Sequence, residues 1–176
     1  MSRTMAEAQL PKRVDAVKLV EINQQFNAEI DGNSLLRLKD AVVHCTAVVK
    51  VEVTFDRDQE ANRVISGRCA TEVEMVCQRC LGSVVVPVES QFELGLVFND
   101  DQAKQLPKRL EPVEMNEDGL LELWDVIEDE LLLELPAFPT HSDGECQLKQ
   151  PEPETTIATD VERENPFSVL AKLKQQ

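Results

Sequence analysis

The sequence predicts an α+β fold: a curled antiparallel sheet or partly open barrel, with one main packed helix and a short C-terminal helix. Three observations support it. From residue 46 to 98 apolar and polar residues alternate with no helical interruption, so successive hairpins are the simplest arrangement. After Gly119 the period changes, and Leu120, Leu123, Ile127, Leu131 and Leu135 recur at helical spacing. Near the end, Asn165-Pro166-Phe167 supplies a helix cap, a first-turn proline and the start of an apolar stripe.

In chain order, residues 1–13 read as a flexible N-terminal arm and 14–146 as a single α+β domain. Val14 to Val20 alternates weakly, and Phe26 to Ile30 resembles a strand before the Asp31-Gly32-Asn33-Ser34 turn. Leu35 to Val43 fits either a short helix or an irregular lead into a strand. Val49, Val51, Val53 and Phe55 then stand at strict alternate positions, which is the pattern of a half-buried strand. Val64 to Val76 predicts the next strand or a broken pair of strands. Val84 to Phe98 is the return, with Pro87 marking a bend or an edge. Pro112 to Met115 adds a short strand, and the helical segment that follows ends at Pro136. Residues 147–164 read as a mobile acidic linker, and 165–176 as a short helix carrying Phe167, Leu170 and Leu173 three apart.

Composition excludes some functions. The 33 acidic side chains outnumber 18 Lys and Arg, giving a net charge of -15 that repels phosphate backbones and anionic membranes. Direct non-specific binding of nucleic acid is therefore a poor first reading. No run of about 18 apolar residues is present, so no membrane helix is expected. Five cysteines without a secretory leader fit a reducing, cytoplasmic setting. No phosphate-binding glycine loop, H-E-x-x-H helix or marked nucleophile-base pair is present, and no small-molecule substrate is identified.

The chemistry-bearing residues are Cys77 and Cys80, a C-x2-C pair between two strands, with His141 and Cys146 beyond the helix. Together they can supply a Cys3His set for one structural zinc. Unligated reduced thiols at a tight hairpin, or a reactive pair, fit the same spacing, and all three readings stay open. Cys45 and Cys69 read as small buried apolar residues. Residues 111–134 hold ten acidic residues and no Lys or Arg. An acidic helix face is first a solubility device, yet Glu128, Asp129 and Glu130 are also the natural dock for a basic protein partner. Phe167 and Leu170 are candidate partner contacts, or else dock back on this domain. Trp124 is first a core residue.

Cys77-Gln-Arg-Cys80, the Trp124 to Pro136 block, Phe138-Pro-Thr-His141 with Cys146, and Asn165 to Leu173 together resemble the large ribosomal RNA subunit accumulation protein family, the YceD-like proteins, in their proteobacterial form. The resemblance runs from about residue 14 to the end. It implies a non-enzymatic factor supporting synthesis, processing or stability of large-subunit (23S) ribosomal RNA, and it assigns no catalytic residue. With the charge pattern, it points to binding of a basic ribosomal protein or large-subunit assembly factor. The alternatives are a zinc- or thiol-dependent RNA-processing enzyme centred on Cys77 and Cys80, and a regulatory protein-binding module.

Overall fold

The computed structural model describes residues 10–45 and 47–146. The first nine residues of the expected arm, the linker over 147–164 and the final segment with Phe167 and Leu170 lie outside the described residues.

At the start of the described residues Leu10 is buried, and the Lys12 carbonyl accepts the Leu123 backbone N–H at 2.8 Å. A short strand, β1 (Arg13–Asp15), leads directly into α1 (Ala16–Glu21), capped by Asp15, whose carboxylate accepts the Lys18 N–H at 3.0 Å. Next come β2 (Gln25–Asp31), α2 (Leu36–Ala41), β3 (Val48–Arg57), β4 (Arg63–Val76) and β5 (Ser83–Val97). Then α3 (Asp100–Ala103), β6 (Glu111–Glu114) and β7 (Leu120–Glu122) lead into α4 (Leu123–Leu133).

The main sheet has the order β2-β3-β4-β5-β6, and β1 pairs with β7 in a separate two-stranded sheet. Pairing is antiparallel throughout except between β5 and β6, which run parallel. The expected curled sheet or partly open barrel with one main helix is thus corrected. The sheet is open, with β2 and β6 at opposite edges, and four α-helices share the helical part among the described residues. The cause lies in residues 98–110, which carry the chain back past β5 so that β6 starts at the same end. A parallel neighbour made by such a return cannot extend a ring of simple hairpins. The weak alternation after Val14 conceals α1, whose buried residues, Ala16 and Val20, are four apart. Leu120 to Glu122, whose Leu120 falls on the helical stripe, pairs with β1 instead, so α4 begins at Leu123.

The alternation in β3 does place Val49, Val51, Val53 and Phe55 in the core. β4 is one continuous strand rather than two, and it can pass close to β3 because a Cβ at Gly67 would lie 2.3 Å from the Glu52 carbonyl oxygen. Pro87 pairs with Glu72 in the outer part of β5, where among the described residues no strand lies on its other side, since β6 reaches only Leu94 to Val97.

Helix α4 packs on β4, β5, α2 and β1 and buries Leu123, Val126, Ile127 and Leu131. Trp124 is half-buried against the core. Its indole N–H donates to the Leu10 carbonyl at 3.1 Å, and the Lys12 ammonium lies 4.6 Å from the ring centre. The tryptophan therefore pins the entering chain to α4.

Candidate functional site

Two features outside the core hold chemistry: the tip of the long β4–β5 hairpin, and the outer side of α4. The hairpin runs in register from Val64 opposite Gly95 to Val76 opposite Ser83. Past the first residue of β3 it is flanked by residues 43–44, which bond to Glu74. Its tip is closed by the Cys77 N–H donating to the Gly82 carbonyl at 2.8 Å and the Leu81 N–H donating to the Cys77 carbonyl at 2.9 Å. Leu81 adopts the left-handed conformation, with φ of 60°, so that the turn can fold both sulfurs inward.

After α4 the chain returns to this tip. The Gln78 N–H donates to the Pro139 carbonyl at 2.8 Å, and the Arg79 guanidinium donates to the His141 carbonyl at 2.8 Å. Gly144, with φ of 90°, allows the turn that brings Cys146 back beside His141.

The result is one cluster. Ligand atoms of Cys77, Cys80, His141 and Cys146 all lie within 4.8 Å of one another, with Cys77 buried and the others half-buried. Cys77 Sγ is 3.9 Å from Cys146 Sγ, and Cys80 Sγ is 3.4 Å from His141 Nδ1. A tetrahedron with metal–sulfur bonds of about 2.3 Å and metal–nitrogen bonds of about 2.0 Å has edges of about 3.5–3.8 Å, so these separations suit one ion between the four donors. The imidazole is also oriented for the task. Nε2 lies 2.8 Å from the Ser83 carbonyl oxygen, which can only accept, so Nε2 carries the proton and Nδ1 presents its lone pair to the thiols.

Electrostatics points the same way. Burial alone would raise the Cys77 thiol, but backbone N–H groups of Cys80, His141 and Arg79 hold its sulfur down at about 5. Cys146 is held above its ordinary value, first by burial and then by the adjacent sulfurs of Cys80 and Cys77. A sulfur favoured as thiolate, beside a neighbour that resists a second negative charge, suits a shared cation. Cys45 and Cys69 are buried away from this cluster, and burial pushes Cys69 up to about 12, as expected of inert thiols.

The three acidic residues of α4 separate into different roles. Glu128 is 5% exposed and faces inward. Its carboxylate accepts the Leu38 backbone N–H at 2.9 Å and the Arg37 Nε–H at 3.2 Å, which caps α2, a helix whose own N-cap residue, Leu35, offers no side-chain bond. Asp129 is exposed and pairs with Arg37 at 2.7 Å. Glu130 is half-buried and accepts from the buried Ser90 hydroxyl at 2.9 Å. Its carboxyl sits above the usual range, first because it is buried and then because Glu111, Asp129 and Glu134 lie near. Arg37, Arg79, Ser83 and Ser90 are site residues that the sequence pattern did not single out. The one readable signal on α4 is Leu131-Leu132-Leu133, an apolar run wider than a single core stripe, which leaves Leu133 in solvent.

Fold and site thus define a small acidic α+β protein in which the segment after α4 returns to the β4–β5 hairpin and brings Cys77, Cys80, His141 and Cys146 into one cluster. Residues 65–174 match the sequence model of the family described as "Large ribosomal RNA subunit accumulation protein YceD". A Haemophilus influenzae protein of the same description is 34% identical over 174 residues, covering 98% of this chain and 100% of that relative. The chain belongs to the large ribosomal RNA subunit accumulation protein family. No solved structure matches it.

Proposed function

We propose that this protein is a non-enzymatic factor supporting synthesis, processing or stability of large-subunit (23S) ribosomal RNA, acting in the cytoplasm as an adaptor for a basic ribosomal protein or large-subunit assembly factor. Family membership supports the first part. The single observation that supports the adaptor role is the segment 111–134, with ten acidic residues and no basic one, much of it displayed on β6 and α4. Such a surface speeds encounter with a cationic partner and disfavours direct contact with the RNA backbone. Asp129 and Glu130 are the contacts within it, while Glu128 sets the geometry from behind. Among the described residues no helix is long and apolar enough to cross a membrane.

In the same reading Cys77, Cys80, His141 and Cys146 hold one structural zinc. Four protein donors complete a tetrahedron and leave no position for a reacting water, so the ion would fasten the α4 end of the chain to the hairpin. The domain division follows: one α+β body, with 147–164 joining it to the segment at 165–176. Capture of large-subunit proteins by the purified full-length chain tests the adaptor role. Retention of a basic large-subunit protein, lost on Asp129→Lys with Glu130→Lys, is expected. Cleavage of ribosomal RNA that disappears on Cys77→Ser with the fold intact would replace it with an enzymatic role.

A further inference from the structure

A groove of about 390 Å³ runs between α4 and the β5–β6 edge of the sheet. Leu94 and Val126 form its buried wall, Val113 and Leu132 are half-buried, and Leu133 is 75% exposed beside them. Glu111, Asp129 and Glu130 line the same groove, and no Lys or Arg does. An apolar floor flanked by three carboxylates calls for a segment that is apolar on one side and cationic beside it.

We propose that residues 165–176 of this same chain occupy the groove, with Phe167, Leu170 and Leu173 on its apolar wall and Lys172 and Lys174 toward its carboxylates. The sequence of that segment is complementary to the site in both respects. Phe167, Leu170 and Leu173 are spaced for one helical face, and the segment carries two lysines and no acid in a chain of net charge -15. So short an amphipathic helix needs a surface to form on.

The connection is also long enough. Eighteen residues, 147–164, separate Cys146 from Asn165. A flexible chain of that length spans about 23 Å root-mean-square. A domain of this size has a radius of gyration of about 14 Å, so the groove lies within reach. Tethering of this kind gives an effective concentration of the order of millimolar, and even a weak contact is then mostly formed. A foreign basic helix must displace the chain's own segment before it can use the groove. The self-docking stands on the groove and the segment, independently of the adaptor reading.

The test uses the full-length protein labelled for amide NMR, comparing Phe167→Ser/Leu170→Ser and Leu133→Asp with the parent. Leu133 is exposed, so its substitution leaves the core intact, which unchanged signals from β3 would verify. Docking predicts that the double variant shifts the amides of Val113, Val126, Leu132 and Leu133. Leu133→Asp should in turn shift the amides of residues 167–173 and lower their heteronuclear NOE values. Raising salt from about 0.1 to about 0.5 M should move both sets toward the undocked positions. Changes confined in each variant to the substituted residue's neighbours in sequence would overturn the proposal. Groove signals that ignore the Phe167/Leu170 change but respond to an added basic amphipathic peptide would assign the groove to a foreign segment. That outcome also overturns self-docking, while leaving the proposed function standing.

Discussion

The zinc proposed for the Cys77-Cys80-His141-Cys146 cluster would clip the hairpin to the segment after α4, so its removal should loosen the whole molecule by an amount that the connectivity sets. Cys80 and His141 are 61 residues apart in sequence. A cross-link closing a loop of that length lowers the entropy of the unfolded chain by an amount worth about 4 kcal/mol at 25 °C, the figure used for a disulfide. For a domain of this size the unfolding entropy is about 0.3 kcal/mol per degree, so the full effect corresponds to about 14 °C in Tm. Unfolded cysteines retain some affinity for zinc, which reduces the difference, and a fall of about 5–10 °C is the expected result. The assay is calorimetry of protein purified without added metal, before and after a strong chelator, alongside metal analysis and the Cys146→Ser variant. One equivalent of zinc, lost together with the stability in both treatments, is predicted. Protein that holds no transition metal, melts at one temperature with or without chelator and tolerates Cys146→Ser within about 2 °C would refute the reasoning.

Other outcomes follow from the α4 face. Glu128→Ala strands the Leu38 N–H and removes an ion pair to Arg37, so chemical denaturation should show a loss of about 2–3 kcal/mol, with little loss of partner binding beyond that due to unfolding. Glu130→Gln should have the opposite sign. Its carboxyl is raised above 4.5 in the folded protein, so ionisation there opposes folding. The substitution should therefore stabilise at pH 7–8, and the gain should shrink as pH falls and vanish well below 4.5, where both states are protonated. Equal gains at pH 4 and pH 8 would contradict this. Trp124→Ala should cost about 3 kcal/mol and increase amide exchange at Leu10 to Lys12 first, because the indole holds that segment.

The strands were legible because burial on one face imposes a period of two, and Val49 to Phe55 shows it without interruption. The four donors were legible as residue types, and their convergence was foreseen as one of three readings. What sequence spacing could not reveal was the orientation of His141, since it depends on Ser83, a residue 58 positions away with an ordinary backbone carbonyl. The open sheet was hidden for a comparable reason. The direction of β6 is decided by the path of residues 98–110, and a four-residue strand reads alike in either direction. Glu128 looked like its neighbours because its distinguishing feature is a partner on α2, 90 positions earlier. Helix α1 was masked because six residues complete less than two turns, too few for a 3.6-residue period to stand out from alternation.

The central functional claim is that this acidic protein acts on ribosomal RNA levels through a basic protein. Its most direct test is parallel titration of the full-length chain against purified large-subunit ribosomal proteins, assembly factors and 23S ribosomal RNA fragments. Binding to at least one basic protein is predicted, weakening steeply between about 0.1 and about 0.5 M salt and at least tenfold on Asp129→Lys with Glu130→Lys. Tight binding to the RNA fragments, with no affinity for any large-subunit protein or assembly factor, would contradict it.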